Sequence, residues 1–477
     1  MPISCDTRPF EATALAASLL SEKQRAHLDQ IAQAFTVDDA QLDGIFAAMS
    51  AAMNDGLAAY GSTIAMIPTH VVGRISGQET GTYLALDLGG THLRICAVHL
   101  RGGGEIDMSS RKFTVPDTHK INATGRPLFD YMAECIRQFV EQEASLPALS
   151  PGQAYSLGFT FSYPVHQTAV DRGTLLTWTK GFNLPDVVGR DVAQLLQAAL
   201  ARYGLPVKVA ALTNDTVACL LAQAYRNPTA QVGLIVGTGN NAAYYEKIGS
   251  IGKLHEPNNP QEMIINTEWG AFDTERRVLP RTMFDARIDR LSPHPFKQQF
   301  EKMIGGQYLG ELLRQVILDF IDRRLLFDGK SSGDFNQELT LHTEYLALME
   351  ADTTPERTQV QNVLEAIMGL PAGKTTLGER MLVQRLCQLI STRSARLCAT
   401  ALAALVSKRP DKLDSLEQLS IGVDGSLFER YPRYADHMAA VLHHHLKLSH
   451  KVSLSLIKDG SVIGAALATL LAEKHRQ

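Results

Sequence analysis

Residues 83–98 read Tyr-Leu-Ala-Leu-Asp-Leu-Gly-Gly-Thr-His-Leu-Arg-Ile-Cys-Ala-Val, and this stretch decides the fold of the chain. Two apolar runs flank a tight Asp-Leu-Gly-Gly-Thr turn, a pattern that predicts a β-hairpin with a carboxylate and a hydroxyl at its tip. Gly89 and Gly90 let a ligand approach backbone N–H groups, while Thr91 and Arg94 add donors suited to phosphate oxygens. The stretch therefore predicts a hairpin that binds phosphate.

Length and composition limit what can surround this hairpin. A chain of 477 residues is too long for one ordinary core, so we expect two lobes. Its content of 45% hydrophobic and 20% charged residues is typical of a soluble globular protein. The formal net charge of -4 provides no electrostatic surface for nucleic acid, which favours a small-molecule partner.

The cysteines and the N-terminus indicate a cytoplasmic protein. Six cysteines are scattered without a C-x-x-C pair, as expected for buried, reduced thiols. Asp6, Arg8 and Glu11 precede the apolar patch at residues 14–20, which is unlike a secretory signal. No apolar run looks long enough to cross a membrane, so we expect no membrane association.

The first half of the chain predicts helices followed by an α/β lobe. Residues 11–60 predict two or three amphipathic helices that cover a sheet. Hairpin strands followed by an alternation of strand and helix indicate a mixed sheet. The expected elements are strands at 82–88, 93–100 and 111–115, a helix at 127–144 and a strand at 155–161.

A second hairpin opens the other half. Residues 231–236 and 242–246 predict two strands around the turn Gly237-Thr-Gly-Asn-Asn241. One glycine-threonine turn in each half suggests a duplicated lobe that closes around a nucleotide. Further strands are expected at 419–424 and 451–456, with helices at 344–408, 435–448 and 464–474 and a long helix ending near Phe327.

Polar side chains follow several of the strands. Ser162 follows one, Thr179 and Lys180 lie among aromatic residues, and Asn214 and Asp215 end another. Open α/β sheets bind ligands at such strand ends. Asp215 also precedes a helical stripe, so it can be an N-cap, a general base or both, because a helix N-terminus keeps a carboxylate ionised.

Three other motifs carry less weight. Residues 369–375 resemble a Walker A loop, but three residues instead of four separate the glycines. The residue types at 237–242 match a dinucleotide-binding fingerprint. A strand is expected after them instead of the helix that this fingerprint requires, which disfavours a Rossmann enzyme. His443, His444, His445 and His450 are interpreted as a solvated helix face, because consecutive histidines point in different directions.

Taken together, the motifs resemble the hexokinase family over nearly the whole chain. The match consists of separate blocks in the family's order. These blocks are residues 86–91 with Arg94, 157–164, 177–182, 212–217, 237–241, 266–272, 300–303 and 422–426. Segments such as Glu268-Trp-Gly-Ala-Phe-Asp273 most resemble those of fungal hexokinases and glucokinases.

This resemblance implies an α/β, actin-like ATPase fold built on ribonuclease-H-like mixed sheets, with two lobes around a central cleft for sugar and ATP. It implies N-terminal helices at 1–70 that pack on the large lobe, a small lobe at 71–220 and a large lobe at 221–477. The last helix is expected to return toward the small lobe. The resemblance leaves open whether the protein is a monomer or a homodimer.

The resemblance also implies site residues. Asp215, Lys180 and Arg94 would be catalytic, with Asp215 as the base. The hexose ligands would be Ser162, Thr179, Lys180, Asn214, Asp215, Asn241, Glu268 and Glu301. The residues facing ATP and Mg²⁺ would be Asp87, Gly89, Gly90, Thr91, Arg94, Gly237, Thr238, Gly425 and Ser426. The metal would be held by the ATP phosphates, with Asp87 reaching it through water.

Several positions depart from the family pattern. His92 stands where the family has Asn or Ser, Asn240 where it has Thr, Ser or Cys, and Phe296 where it has Gly. Ala218-Cys219 replaces Gly-Thr or a near variant, and residues 459–464 lack a glycine of the adenosine-side pattern. These changes leave the proposed base and sugar ligands intact but indicate a divergent paralogue.

Three hypotheses follow from the sequence. The first is an ATP-dependent hexokinase that phosphorylates the 6-hydroxyl of glucose, and also fructose or mannose, at the start of glycolysis. The second is an N-acetylglucosamine kinase of the same family. The third, from another class, is a sugar-sensing regulatory protein with little turnover. Intact Asp215, Lys180 and Arg94 favour a kinase.

Overall fold

Two mixed β-sheets, each covered by helices, organise the chain. The computed structural model describes residues 18–179, 181–415, 417–446 and 452–476. The first sheet has the order β4-β3-β2-β5-β8. Its strands are β2 (Thr80–Leu88), β3 (His92–Gly102), β4 (Glu105–Thr114), β5 (Tyr155–Phe161) and β8 (Val207–Thr213).

The hairpin predicted at residues 83–98 is confirmed. Strands β2 and β3 pair antiparallel with Asp87 opposite Arg94, whereas β2, β5 and β8 run parallel. Alternate side chains of β2 enter different cores, because successive residues of a strand face opposite sides of the sheet. Leu86 packs in the core under one face and Ala85 in the core under the other.

The second sheet has six strands in the order β1-β11-β10-β9-β12-β13. They are β1 (Ile67–Val72), β9 (Ala230–Val236), β10 (Asn240–Lys247), β11 (Glu262–Asn266), β12 (Leu419–Asp424) and β13 (Val452–Leu456). The predicted hairpin around residues 237–241 is confirmed by the antiparallel pairing of β9 with β10. A separate two-stranded ribbon is formed by β6 (Val165–Ala169) and β7 (Arg172–Leu175). The domain limits at residues 70 and 220 stay predictions.

The helices cover both sheets. The first part of the chain forms α1 (Glu22–Phe35), α2 (Asp39–Ala58), α3 (Asp117–Lys120), α4 (Arg126–Gln142), α5 (Val192–Arg202) and α6 (Asp215–Arg226). The middle forms α7 (Met283–Leu291), α8 (Gln299–Ile304), α9 (Gly306–Asp322), α10 (Gly333–Asn336), α11 (Thr343–Glu350) and α12 (Thr358–Asn362). The last part forms α13 (Leu377–Ser407), α14 (Pro410–Ser415), α15 (Ser426–Arg430), α16 (Tyr434–Leu446) and α17 (Gly460–Arg476).

Two predicted helix boundaries were wrong. The long helix expected to end near Phe327 ends at Asp322, and the extended backbone at Gly305 separates it, as α9, from the short helix α8. The break lets the first N–H groups of α9 reach the hairpin turn: Gly306 N–H donates to the carbonyl of Gly237, and Gln307 N–H to that of Thr238. The last helix begins at Gly460, four residues before the predicted start at 464.

Helix α13 corrects the expectation that no apolar segment could span a membrane. It is long and apolar enough by length and composition alone, but 89% of its most apolar window is buried inside the protein. A core helix passes the same test. Tertiary packing accounts for its apolar character, since it contacts α2, α11 and α16.

Helices α6 and α17 lie between the two sheets in unusually close contact. A Cβ on Gly464 of α17 would lie 2.0 Å from the carbonyl oxygen of Ala218 in α6 and 2.2 Å from its Cα. The glycine therefore permits a backbone-to-backbone crossing. Helix α17 also packs against β5, β2 and β8 of the five-stranded sheet.

Candidate active site

Asp215 is the first residue of α6, directly after the parallel strand β8. The preceding residue, Asn214, is the N-cap: its side-chain oxygen accepts a hydrogen bond from the backbone N–H of Thr216 at 3.0 Å. The interpretation of Asp215 as the N-cap was therefore wrong, because the neighbouring amide occupies that role. Asp215 itself accepts from Thr216 N–H at 2.9 Å and lies at the positive end of the helix dipole.

A network of amides and a carboxylate adjoins this turn. Asn241 Nδ2 donates to Asn266 Oδ1 at 2.8 Å and to Glu268 Oε1 at 3.1 Å, and Asn266 Nδ2 donates to the same Glu268 oxygen at 2.8 Å. The hydroxyl of Thr216 lies 3.4 Å from Asn266 Oδ1, which connects the network to α6. The structure thus brings Asn214, Asn241 and Glu268 together. Asn266 and Thr216, not selected from the sequence, connect them.

Glu301 reaches the same region from α8. Its two carboxylate oxygens accept the backbone N–H of Asn240 at 3.2 and 3.0 Å. A Cβ on Gly270 would lie 2.5 Å from Gln298 Oε1 and 3.1 Å from Glu301 Cβ, so this glycine makes room for both side chains. Gln298, which was not selected from the sequence, lies two residues before the block at 300–303 that contains Glu301.

The loop before Glu301 is held by Asp289 of α7. This carboxylate accepts from Phe296 N–H at 3.0 Å, Gln299 Nε2 at 2.9 Å and Lys302 Nζ at 2.7 Å. Burial opposes its ionisation, but the hydrogen bond from Lys302 and those from Gln299 and Phe296 hold its pKa below the usual value. Phe296, at φ +65°, is 56% exposed beneath the Arg276 guanidinium.

Asn240, the departure at the turn of the second hairpin, has a structural role. Its side-chain Nδ2 lies 3.3 Å from the Cys398 sulfur of α13, and its backbone carbonyl accepts the indole N–H of Trp269 at 3.0 Å. Its backbone N–H donates to Glu301. This one buried residue therefore connects the hairpin turn to α8, to α13 and to the segment at Trp269. A shorter Ser or Thr could not span the same distance to the sulfur.

The five-stranded sheet supplies the other candidate sugar ligands. Ser162 directly follows β5, and Thr179 lies in a segment anchored by the ring of Trp178. That ring packs edge-on against Phe161 and Tyr163 and stacks on Phe182, which holds the segment against the core. Lys180 lies outside the described residues.

Two glycine turns adjoin one another on the phosphate side. Gly425 has φ +125°, and a Cβ there would lie 2.3 Å from the Val236 carbonyl oxygen and 2.8 Å from Gly237 N. The turn at Gly237 and Thr238 therefore lies against the turn at Gly425 and Ser426. Glycine is required at 425 both for its conformation and for this close approach.

The first hairpin contacts the start of α17. Arg94 Nη1 donates to Asp459 Oδ1 at 2.6 Å, and Ser461 Oγ donates to Asp87 Oδ2 at 2.8 Å. Gly89 closes the tip by donating its N–H to the His92 carbonyl at 2.9 Å. Gly90 and Thr91 lie at the same tip, where Thr91 is exposed. Asp459 and Ser461 were not selected from the sequence, although they occur in a block compared with the family.

Several carboxylates lie close to one another beside the glycine turns. Burial, together with the smaller effect of the charges of Asp215, Asp87 and Asp459, raises the pKa of Asp424, at the end of β12, to about 6. Asp424 was missed in the sequence, although, like Asp87, it precedes a glycine turn after an apolar strand. Carboxylates from four elements thus form an acidic region beside the glycine turns, which is suited to a divalent cation.

A two-lobe α/β phosphotransferase is the class of protein that this fold and site define. Two hexokinase family models match residues 27–225 and 231–471. Hexokinase-1 of Schizosaccharomyces pombe is 39% identical, over 96% of this chain and 93% of the relative. Hexokinase-1 of Saccharomyces cerevisiae is 38% identical, over 94% and 92%. A solved structure, a hexokinase from Schistosoma mansoni complexed with glucose, has 33% identity and a TM-score of 0.84, covering 95% of this chain and 99% of its own.

The chain therefore belongs to the hexokinase family. Its fold is the actin-like ATPase fold expected from the motifs, and it is an ATP-dependent phosphotransferase that acts on a hydroxyl of a hexose. Members of this family use ATP as the phosphate donor.

Proposed function

We propose that the protein transfers the γ-phosphoryl group of MgATP to the 6-hydroxyl of glucose, and also of fructose and mannose. The observation that carries the proposal is the hydrogen-bonded network beside Asp215. The Thr216 hydroxyl lies 2.7 Å from Asn214 and 3.4 Å from Asn266, which in turn donates to Glu268. This network sets a carboxylate base beside the amides and carboxylates that a sugar needs to replace its water.

Hydroxyl recognition uses donors and acceptors from both lobes. A hexose hydroxyl can donate to a carboxylate and accept from an amide at the same time. Glu301 and Glu268 supply acceptors from the six-stranded side, while Ser162 supplies a hydroxyl from the five-stranded side. The proposed ligands are Ser162, Thr179, Lys180, Asn214, Asp215, Asn241, Glu268 and Glu301.

Asp215 is the proposed general base. A carboxylate has two oxygens, so Asp215 can accept the N–H of Thr216 through Oδ1 and still accept the proton of the attacking hydroxyl. Phosphoryl transfer passes through a loose transition state, so orientation and charge neutralisation supply most of the acceleration. Arg94 and Lys180 are the proposed cations near the transferred group.

The phosphate side fits a nucleotide bound with Mg²⁺. Backbone N–H groups at Gly89, Gly90 and Thr91 and at the adjoining Gly237 and Gly425 turns provide donors for phosphate oxygens. Thr238 and Ser426 supply hydroxyls at the same turns. A guanidinium has five N–H donors, so Arg94 can contact Asp459 and a phosphate oxygen together.

The acidic region explains the proposed requirement for Mg²⁺. Burial is the main cause of the raised pKa of Asp424, and the neighbouring carboxylates of Asp215, Asp87 and Asp459 contribute to it. Oxygen donors are those that Mg²⁺ prefers. Asp87 is the proposed contact through water. When bound, the ion would neutralise charge on the phosphates during transfer.

Glucose is the preferred substrate in this proposal, supported by the glucose complex of the Schistosoma mansoni hexokinase. We also propose a cytoplasmic location at the first step of glycolysis. Among the described residues, Cys96, Cys135, Cys219, Cys387 and Cys398 are free and buried, as is typical of a reducing compartment.

A coupled ADP-release assay with glucose, fructose, mannose and N-acetylglucosamine tests the proposal. We expect turnover with the first three and a loss of at least about a hundredfold in Asp215→Ala, since a general base typically contributes 10²–10⁴-fold. Sugar binding, followed by calorimetry, should persist in that variant. Asp107→Ala, at an exposed position of β4, is the matched control and should retain full turnover.

Other outcomes separate the alternatives. A marked preference for N-acetylglucosamine would support the second hypothesis from the sequence. Sugar binding without turnover in the wild-type protein would instead support a sensing role. Wild-type rates in Asp215→Ala would refute the assignment of the base.

A further inference from the structure

Two consecutive histidines at the end of α16 face the same carboxylate of α2. His444 Nε2 lies 3.1 Å from Asp43 Oδ1, and His445 Nδ1 lies 3.5 Å from the same oxygen. The expectation that neighbouring histidines on this helix would point apart was wrong. Asp43 lies between the two imidazole rings, so a nitrogen of each ring approaches its carboxylate. The centroids of the two rings are 4.9 Å apart.

These three donors have the composition and spacing of a metal site. One ligand atom from each of Asp43, His444 and His445 lies within 4.8 Å of the other two. Imidazole nitrogens and a carboxylate oxygen are ligands of Zn²⁺, at about 2.0–2.2 Å from the ion. A small inward movement of the three side chains would therefore complete such a set.

Further polar atoms lie near the far nitrogen of each ring. His444 Nδ1 lies 3.9 Å from Asp39 Oδ2, while its Nε2 faces Asp43. His445 directs Nε2 toward the Thr400 hydroxyl at 3.5 Å, and its ring stacks on Phe46. A carboxylate or hydroxyl on the far nitrogen is the arrangement that commonly orients metal-binding histidines.

The charge and exposure of the cluster fit a reversible dication site. The side chains of Asp43 and Asp39 are 63% and 64% exposed, whereas that of His445 is 3% exposed. Arg396 already pairs with the other oxygen of Asp39, at 2.7 Å, and so leaves Oδ2 facing His444.

We propose that Asp43, His444 and His445 bind a transition-metal dication of the zinc type and thereby join α2 to α16. The site differs in chemistry from the acidic region of the hexose kinase. Nitrogen donors select Zn²⁺, Ni²⁺ or Co²⁺, whereas an all-oxygen site suits Mg²⁺. The bound ion links an N-terminal helix to a helix near the C-terminus.

Zinc titration of untagged, chelator-stripped protein tests this site. Excess MgCl₂ is present throughout to occupy oxygen-only sites, and binding is followed by calorimetry. We expect the Zn²⁺ stoichiometry to fall by one in His444→Ala and in Asp43→Ala. His443→Ala, which changes the adjacent histidine outside the cluster, should retain it. Asp39→Asn should weaken binding about tenfold, the lower end of what loss of an orienting partner costs.

Two further readouts separate metal binding from a structural effect. Zn²⁺ should raise the thermal midpoint of the wild-type and His443→Ala proteins but not of His444→Ala, since a ligand stabilises only the state that binds it. Hexose turnover should be equal in all of them. Equal stoichiometry and affinity in wild type, His444→Ala and Asp43→Ala would overturn the proposal.

Discussion

Glu350, the last residue of α11, shows how its surroundings set the charge of a single side chain. Burial raises its pKa to about 7, although Ser391 and Tyr431 donate hydrogen bonds to its carboxylate and Arg433 and Arg385 lie nearby. Because the folded-state pKa exceeds the unfolded one, the folded protein binds a proton that the unfolded chain releases. This stabilising contribution is complete below about pH 4.5 and is lost as the pH rises through 7.

We predict that Glu350→Gln stabilises the protein above pH 7. The amide keeps an acceptor for Ser391 and Tyr431 but carries no charge to bury, so the gain can reach about 3 kcal/mol at 1.36 kcal/mol per pKa unit. Urea denaturation at pH 5 and pH 8 measures it. The difference from wild type should be large at pH 8 and small at pH 5.

The control is Glu344→Gln, at an exposed position of the same helix. It should change stability by less than about 0.5 kcal/mol at either pH. A Glu350→Gln effect that is the same at both pH values would contradict the link to burial of the charge.

At the scale of elements, the crossing of α6 and α17 ties the candidate base to the rest of the molecule. Asp215 begins α6, and Asp459 and Ser461 flank the start of α17. Gly464 keeps the two backbones in contact at Ala218, so a change there alters the position of both helix starts. At Ala218 the sequence departs from the family pattern. The atoms of Ala218 that lie closest to Gly464 belong to its backbone.

We predict that Gly464→Ala destabilises the protein by about 2 kcal/mol or more. The added methyl group would overlap the Ala218 backbone, and overpacking of this kind typically costs 1–3 kcal/mol. The measurement is the free energy of unfolding from a urea titration, read by circular dichroism. The shifted helices should also lower hexose turnover.

Gly44→Ala is the matched control for this variant. Gly44 lies inside α2, and apart from its chain neighbours and the nearby helix backbone no atom of the described residues lies within 4 Å of the place that an added methyl group would occupy. Alanine should therefore stabilise the helix by about 0.5–1 kcal/mol. Destabilisation of equal size in both variants would argue that the crossing of α6 and α17 has no special role.

At the scale of the whole molecule, the proposed sugar ligands are divided between the sheets. Ser162 and Thr179 come from the five-stranded side, while Glu268 and Glu301 come from the six-stranded side. Helix α17 contacts the five-stranded sheet through Ser461, which donates to Asp87 and whose carbonyl accepts from Thr160. A ligand bound by both groups must hold the two lobes together.

We therefore predict that saturating glucose closes the molecule. The radius of gyration measured by small-angle X-ray scattering should decrease, because one sugar contacts residues of both lobes and closure excludes water. Glu268→Ala at the same glucose concentration should show a smaller decrease. An unchanged radius of gyration in the wild type, with binding verified by calorimetry, would contradict closure.

Much of the fold was predictable because its signals are local. Alternating apolar residues around glycine turns predicted both hairpins, and β5 and β12 were predicted at their observed bounds. Family blocks also identified the candidate ligands. Helix ends were less predictable: the break at Gly305 depends on hydrogen bonds to Gly237 and Thr238, which are distant in sequence.

The sequence by itself determined the family, the two hairpins and the residue types of the candidate site, because each depends on neighbours along the chain. Only the tertiary structure decided which side chains meet. It paired Arg94 with Asp459, surrounded Asp424 with three other carboxylates and gave the N-cap to Asn214 instead of Asp215. It also brought Asp43 to the histidines of α16, some 400 residues away. Such contacts depend on how helices and sheets pack, which local pattern does not specify.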